Sequence, residues 1–350
     1  MSRFAVCALS MLVLASCAKS APKSKVYSPM HDPRDEVRAT VLAAYDALQS
    51  HDTDKFTWLL APDVMVYGLG PSETFNYRDT AVEAVRQAWA DGRPDVKIFP
   101  GRMPVGMAVG GQSAWVWDFP KVELGRAVYL PRVTAHLLYD GVSWRFDAIH
   151  LSLGVTDDKL YAADAPKKFV MPAEVSGEHR KESEALIDQT KRILEDLSFK
   201  VAHTGDGPDV VLLGTDPGEV FEGGQSFKAM VKPRLAEIKK AVFEYRVDGP
   251  FRARVAPDGR TGWVAANVVL RLGAGRKTQT LPAFRTLWVY EREGSEWSMV
   301  LEHQSLALGD EQRDEATADQ LKVRETREKL PVPLAPKVRE ARDGGFGVFE

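Results

Sequence analysis

Apolar positions follow two rhythms along this chain, and each rhythm occurs twice. Val37, Val41, Tyr45 and Leu48 fall on one helical stripe, and Ile187, Thr190, Ile193, Leu194 and Leu197 form a second. A short helix is expected over residues 54–61. A further helix is expected over 80–90, with a counterpart over 225–236. The period then shortens to two, and four strands rich in Val, Trp, Tyr and Phe close each half between turn signals. Tyr139-Asp140-Gly141-Val142 reads as a compact hairpin turn, and Glu293-Gly294-Ser295 as a counterpart two residues longer. Helices grouped ahead of an antiparallel sheet predict the α+β class.

The two halves also align residue by residue. Val64, Gly68, Pro71, Glu73 and Phe75 match Val210, Gly214, Pro217, Glu219 and Phe221 at an offset of 146. Gly111, Trp115 and Val116 match Gly259, Trp263 and Val264 at 148, and Leu130, Pro131 and Tyr139 match Leu281, Pro282 and Tyr290 at 151. Trp144, His150 and Ser152 match Trp297, His303 and Ser305 at 153, so the offset grows in steps, as loop insertions would make it. In this register Arg285 stands opposite Thr134, and His136 opposite Leu287. The expected division is a leader over 1–17, a tether over 18–33 and a first domain over 34–155. A linker over 156–177, a second domain over 178–309 and a charged helix with a disordered tail over 310–350 complete it.

The segment Leu213-Gly214-Thr215-Asp216-Pro217-Gly218-Glu219-Val220-Phe221-Glu222-Gly223 and the closing strand from Trp297 to Ser305 carry a family resemblance. They resemble the SnoaL-like branch of the nuclear transport factor 2-like superfamily. The first copy departs from the pattern, with Leu69-Gly70 where Thr215-Asp216 stand. The resemblance covers about 250 of the 350 residues. It implies two tandem cone-shaped α+β barrel domains, each with N-terminal helices packed on a curved antiparallel sheet around a concave pocket. It does not fix an activity, because this fold hosts enzymes, ligand binders and scaffolds.

Strand alternation puts Trp144, Phe146, Ala148, His150 and Ser152 on one face of the first closing strand. Trp297, Met299, Leu301, His303 and Ser305 share a face of the second, and both faces are expected to line the pocket. Histidine in an apolar cleft suits general-base work, with Asp216 or Glu219 as candidates to orient His303. The competing reading makes the histidines strand-end hydrogen-bonders and Asp216 a turn initiator. Trp115 and Trp263 read as core anchors, Trp117 and Trp288 as candidate cavity walls, Arg285 as a candidate anion site, and Asp118 as solvent-facing. His136 reads as a surface or interface residue.

The N-terminus carries Arg3, an apolar run from Phe4 to Leu14, and Leu14-Ala15-Ser16-Cys17. The run suits a secretory leader, and its ending resembles the bacterial lipobox. That implies lipidation at Cys17, a membrane anchor and a periplasm-facing body, with Ala18 favouring the outer membrane. Cys7 leaves with the leader, so a mature body would hold no free thiol. With 46 Lys+Arg against 49 Asp+Glu and a net charge of -3, nothing favours nucleic acid. No phosphate loop, His-Glu-x-x-His run or nucleophile elbow occurs, so no cofactor or metal is implied.

Single-copy members of the family often dimerise through the outer sheet face. Duplication therefore implies an intramolecular pseudo-dimer burying Val116 and Leu137 on the convex side. Residues 310–329 are charged with few apolar anchors, which predicts a solvated helix. The leading functional expectation is a non-catalytic envelope lipoprotein binding a small apolar ligand or a protein partner. The alternative is a cofactor-independent isomerase, cyclase or dehydratase using His303.

Overall fold

The computed structural model describes residues 32–90, 95–156, 179–238, 242–247, 251–274, 277–280 and 283–329. The leader with Cys17, nearly all of the tether, nearly all of the linker and the tail beyond 329 lie outside the described residues.

Each half begins with helices. In the first, α1 (Pro33–Ser50) starts where the Asp32 carboxylate accepts the Arg34 N–H and Pro33 occupies the first turn. It ends at His51 in the left-handed conformation. Then come α2 (Thr53–Leu59), β1 (Leu60–Tyr67), β2 (Thr74–Phe75) and α3 (Arg78–Ala90). Strands β3 (Val96–Phe99), β4 (Val105–Met107), β5 (Ser113–Asp118), β6 (Lys121–Leu124), β7 (Ala127–Tyr129), β8 (Arg132–Tyr139) and β9 (Trp144–Ser152) follow. The second half repeats the order with α4 (Arg180–Glu195), α5 (Leu197–Ala202), β10 (Val211–Leu213), β11 (Val220–Glu222), α6 (Gly224–Val231) and α7 (Leu235–Ile238). Its strands are β12 (Val242–Val247), β13 (Arg252–Val255), β14 (Thr261–Ala274), β15 (Lys277–Thr280), β16 (Phe284–Glu293) and β17 (Glu296–Ser305). Helix α8 (Asp310–Lys329) comes last.

The first main sheet runs β2-β1-β9-β8-β5-β4 and the second β11-β10-β17-β16-β14-β12, with β13 and β15 also on β14. Neither is purely antiparallel, because β1 pairs parallel with β9 and β10 parallel with β17. These are two tandem α+β domains.

Pairing corrects the sequence register. Arg132 stands opposite Ser152 and Arg285 opposite Ser305, so the offset across β8 and β16 is already 153. The counterpart of Arg285 is therefore Arg132, and those of Thr134 and His136 are Leu287 and Val289. The hairpins are equally long, since Tyr139 pairs with Trp144 and Arg292 with Trp297. The Leu-Pro and Tyr identities at offset 151 therefore stand two residues out of step with the strand register.

Val116 and Leu137, expected on the convex side, lie on the helix-covered face, which Trp144 and Phe146 share as expected. All four join the core beneath α1 and α2. Met65, Tyr67, Trp115, Trp117 and Ala148 join one continuous apolar cluster with the second half. Strand β5 is buried at all six positions, so its sequence holds no polar face to betray the orientation. Parity changes at Asp147, where β9 bulges: His136 faces Ala148 but Leu137 faces Phe146. A bulge lies at the same place in the second half, between Val289 and Tyr290 against Leu301 and Met299.

Over residues 312–321 helix α8 docks one face on the body, while Gln312, Asp314, Glu315, Ala318 and Leu321 remain exposed. Ala316, Thr317 and Gln320 are buried, Arg313 pairs with Glu73 at 2.8 Å, and Tyr129 donates to Asp314 at 3.2 Å. The contact stripe is made of small and polar residues, which leave no hydrophobic signal in the sequence.

Candidate functional site

The bulges turn His150 and His303 away from their own helices and toward each other. Both are fully buried, and their rings stack with centroids 3.8 Å apart. His150 Nε2 bonds to Ser305 Oγ at 2.7 Å, and His303 Nε2 to Ser152 Oγ at 2.7 Å, a reciprocal exchange across a pseudo-two-fold axis. His303 Nδ1 also bonds to Thr134 Oγ1 at 2.8 Å. Leu287 stands at the mirror position, and His150 Nδ1 is buried with no partner among the described residues. Burial, then the neighbouring His150 ring and Arg132, holds His303 well below the usual imidazole range. Burial, then Arg285 and Arg132, does the same to His150. Both rings are neutral at pH 7.

An arginine from each half flanks this pair. Arg132 donates to the carbonyls of Gly214 (2.7 Å), Asp216 (3.2 Å), Thr215 (3.5 Å) and Gln304 (3.4 Å), and to Ser152 Oγ (3.0 Å). Arg285 donates to the carbonyls of Gly68 (2.8 Å), Gly70 (2.6 Å) and Pro71 (3.0 Å). The repeated Gly-Pro-Glu segment is thus a cradle presenting carbonyls to the opposite half's arginine. Glu73 and Glu219 fold back to brace it, accepting the Leu69 N–H at 2.8 Å and the Asp216 N–H at 3.1 Å. Gly68 and Gly214 leave the room, since a Cβ at either would strike the glutamate. Burial pushes the Arg132 guanidinium down to about 10, against the opposing pull of Glu219 and Asp216, so it stays cationic.

The structure therefore does not assemble the expected trio of His303, Asp216 and Glu219. The two acids serve the turn, with Asp216 Oδ1 accepting the Gly218 N–H at 2.6 Å, while His303 bonds to hydroxyls. His150, Ser152 and Ser305 are buried against the other half. Trp144 lies in the first core; Trp297 and Met299, its neighbours by symmetry, are buried in the second. Trp288 faces the helices of its own half, where its indole donates to Glu302 at 2.9 Å. Glu302 in turn pairs with Lys200 of α5 at 2.6 Å.

Two further residues singled out in the sequence, His136 and Asp118, are both buried. His136 is buried in the interface, between Asp147 (3.1 Å) and Thr261 (2.8 Å). Asp147 also accepts from Trp263 Nε1 at 2.7 Å and from Arg254 at 2.6 Å. Burial opposes its charge, but the His136 hydrogen bond and Arg254 outweigh this and hold the carboxyl below the usual range. Asp118 is buried, not solvent-facing. It accepts from the Tyr45 hydroxyl at 3.1 Å and from the N–H groups of Gly101 and Phe119 at 2.9 Å each. Burial nevertheless raises its pKa.

Beside Asp118 a cavity of about 290 Å³ opens between the halves. Its lining includes Met103, Trp117, Phe119 and Arg132 from the first half, Pro217, Val220 and Glu222 from the second, and Gln320 of α8. No sequence signal marked it, because it exists only where three separate segments meet. Among the described residues no cluster of three or more His, Cys, Asp or Glu could hold a metal.

Helices on a bent mixed sheet, occurring twice, define a tandem cone-type α+β protein. The chain belongs to the SnoaL-like domain family, whose model matches residues 37–156 and 184–309. Among solved structures it is similar to a nuclear transport factor 2-like protein of unknown function from Pseudomonas putida, at 13% identity. That match covers 36% of this chain and 89% of that one, with a TM-score of 0.33. It is also similar to a nuclear transport factor 2-like protein from Streptomyces avermitilis described provisionally as a dehydratase (17%; 34% and 95%; 0.31). A third is an uncharacterised protein with a cystatin-like fold from Caulobacter vibrioides (18%; 37% and 93%; 0.31). No curated protein sequence matches the chain.

Proposed function

We propose that this chain is a non-catalytic binding protein of the bacterial cell envelope. In this reading Cys17 is lipidated, the tether holds the body on the periplasmic side, with the outer membrane favoured, and the two halves act as an intramolecular pseudo-dimer. The body then takes up a small, mostly apolar molecule. One observation carries the non-catalytic reading: His150 and His303, the candidate bases, are fully buried, stacked and bonded to hydroxyls of the opposite half. A general base needs access to a substrate proton within about 2.6–3.2 Å, and three of the four ring nitrogens are bonded to hydroxyls of the opposite half, with both rings shut away from solvent. The lipobox supports the address; among the described residues no helix is long and apolar enough to cross a membrane.

Two measurements test the reading. Mass spectrometry of small molecules released from the purified protein should find a bound apolar species, and lipid-like compounds should raise its melting temperature. Finding neither across a broad panel would overturn ligand binding. Replacing Cys17 by Ala should move the protein from the membrane to the soluble fraction and abolish fatty-acid labelling; unchanged fractionation would overturn the anchor.

A further inference from the structure

We infer that the groove beside Asp118 is a binding site for a compact, neutral, largely apolar molecule carrying one carbonyl-type acceptor, such as a ketone, ester or lactone. This rests on the binding-protein reading above and supplies its site and ligand chemistry. At about 290 Å³ the groove sits at the lower end of small-molecule pockets, which run from about 300 Å³ upward. Its apolar walls are Met103, Pro104, Phe119, Leu130, Pro217 and Val220.

The residues around this space differ from those at the pseudo-symmetric position. Pairing through β4–β5 and β13–β14 makes Arg252 the counterpart of Pro104, and Ala265 that of Trp117. On the mirror side the buried Arg252 side chain reaches across to Asn76, the counterpart of Glu222. A bridging arginine there corresponds to a proline on the cavity wall here.

The polar groups around the groove fix the ligand's chemistry. Arg132 directs its guanidinium to four carbonyls and Ser152. The oxygens of Asp118 are taken by Tyr45, Gly101 and Phe119. In the orientation its surroundings demand, the Gln320 amide donates to the Leu130 carbonyl at 2.8 Å and accepts the Gly154 N–H at 2.6 Å. Arg102 and Glu222 face each other at 3.3 Å as an exposed pair. Trp117 lines the cavity, is 2% exposed, and has an indole N–H without a partner among the described residues. A buried donor left unpaired is costly, and one acceptor on an otherwise apolar ligand would satisfy it. A ligand charge would find no uncommitted counter-charge inside.

The test uses γ-decalactone, decane and decanoate on the purified chain, followed by the indole ¹H–¹⁵N signals of its eight tryptophans and by thermal shift. Trp117→Phe assigns the Trp117 signal. The lactone should move that signal saturably, and decanoate should bind more weakly. Trp117→Phe should weaken the lactone about tenfold, one hydrogen bond's worth at about 1.4 kcal/mol, and leave decane unchanged. Val220→Trp, or the smaller Val220→Phe if the first melts early, should abolish binding of both. A lactone that leaves the Trp117 signal unmoved, or binds both Val220 variants undiminished, would overturn the site. Retained binding in those variants would leave the chain a binding protein with its site elsewhere, whereas no binding by any compound and no co-purifying molecule would overturn both readings.

Discussion

Acidification should separate the stacked histidines from everything else that holds the halves together. His150 and His303 are neutral in the folded state with pKa values held well below 6.5, whereas in the unfolded chain each titrates near 6.5. The unfolded state therefore binds the extra protons as pH falls, so the stabilisation is complete above about pH 6.5 and is lost progressively below it. The charged groups facing the pair are Arg132 and Arg285, with Tyr67 edge-on to His150; both cations act in the same direction as burial. Each ring contributes about 1.4 kcal/mol per pH unit once well below 6.5, so the pair should lose about 4 kcal/mol between pH 7 and 5. Urea unfolding at half-unit pH steps measures this, with the His150→Gln/His303→Gln double variant as reference. The variant should be weaker at pH 8, having lost the stack, but flatter below pH 6.5. Asp118 and Glu291, whose pKa values are raised, and Asp140 and Asp147, whose values are lowered, are common to both proteins and cancel in the difference. Parallel curves for the two proteins from pH 7 to 5 would refute the reasoning.

Three stability predictions concern the rest of the interface. Arg132→Met strands four carbonyls and should cost about 3–5 kcal/mol, read from the urea midpoint; Arg285→Met, which strands three, should cost less. Gly214→Ala puts a Cβ 2.0 Å from Glu219 Oε2 and 2.8 Å from its Cβ, displacing the brace on the cradle; the melting curve should report a loss of about 1–3 kcal/mol. Thr134→Val removes the hydroxyl on His303 Nδ1 and leaves that nitrogen as unpartnered as its mirror atom on His150, costing about 1–2 kcal/mol by the same measurement.

Much of the fold was legible because helices announce themselves by one apolar stripe and one polar face. Val37, Val41 and Tyr45 do so, and the Gly-Pro-Glu cradle is visible twice because its glycine and glutamate are sterically coupled. The sheet faces were not legible. Trp115 and Val116 are both apolar, and both are buried, one against the other half and one beneath the helices. Alternation identifies two faces in such a strand without telling which is which. One bulge residue, Asp147, then reverses the parity for His150 and Ser152, and no single-sequence signal marks it. The histidines align as a matched pair in the sequence, but their chemistry depends on the partner half.

Duplication within one chain explains both the likeness and the difference of the halves. In a homodimer a change at one position appears twice, so an arginine bridging one groove would bridge its mate as well. Here each copy can vary alone. Positions that agree, such as Arg132 with Arg285, His150 with His303 and Trp115 with Trp263, make the interface: the Trp115 indole donates to the Asp209 carbonyl at 2.8 Å, as Trp263 donates to Asp147. Positions that differ, Pro104 against Arg252, Trp117 against Ala265 and Asp118 against Ala266, surround the cavity. The shared residues hold the two sheets together, and the divergent ones line the cavity. Exchanging Pro104 for Arg should therefore act on ligand uptake far more than on the union of the halves, since it alters none of the hydrogen bonds that Arg132, Arg285 or the histidines make across the axis.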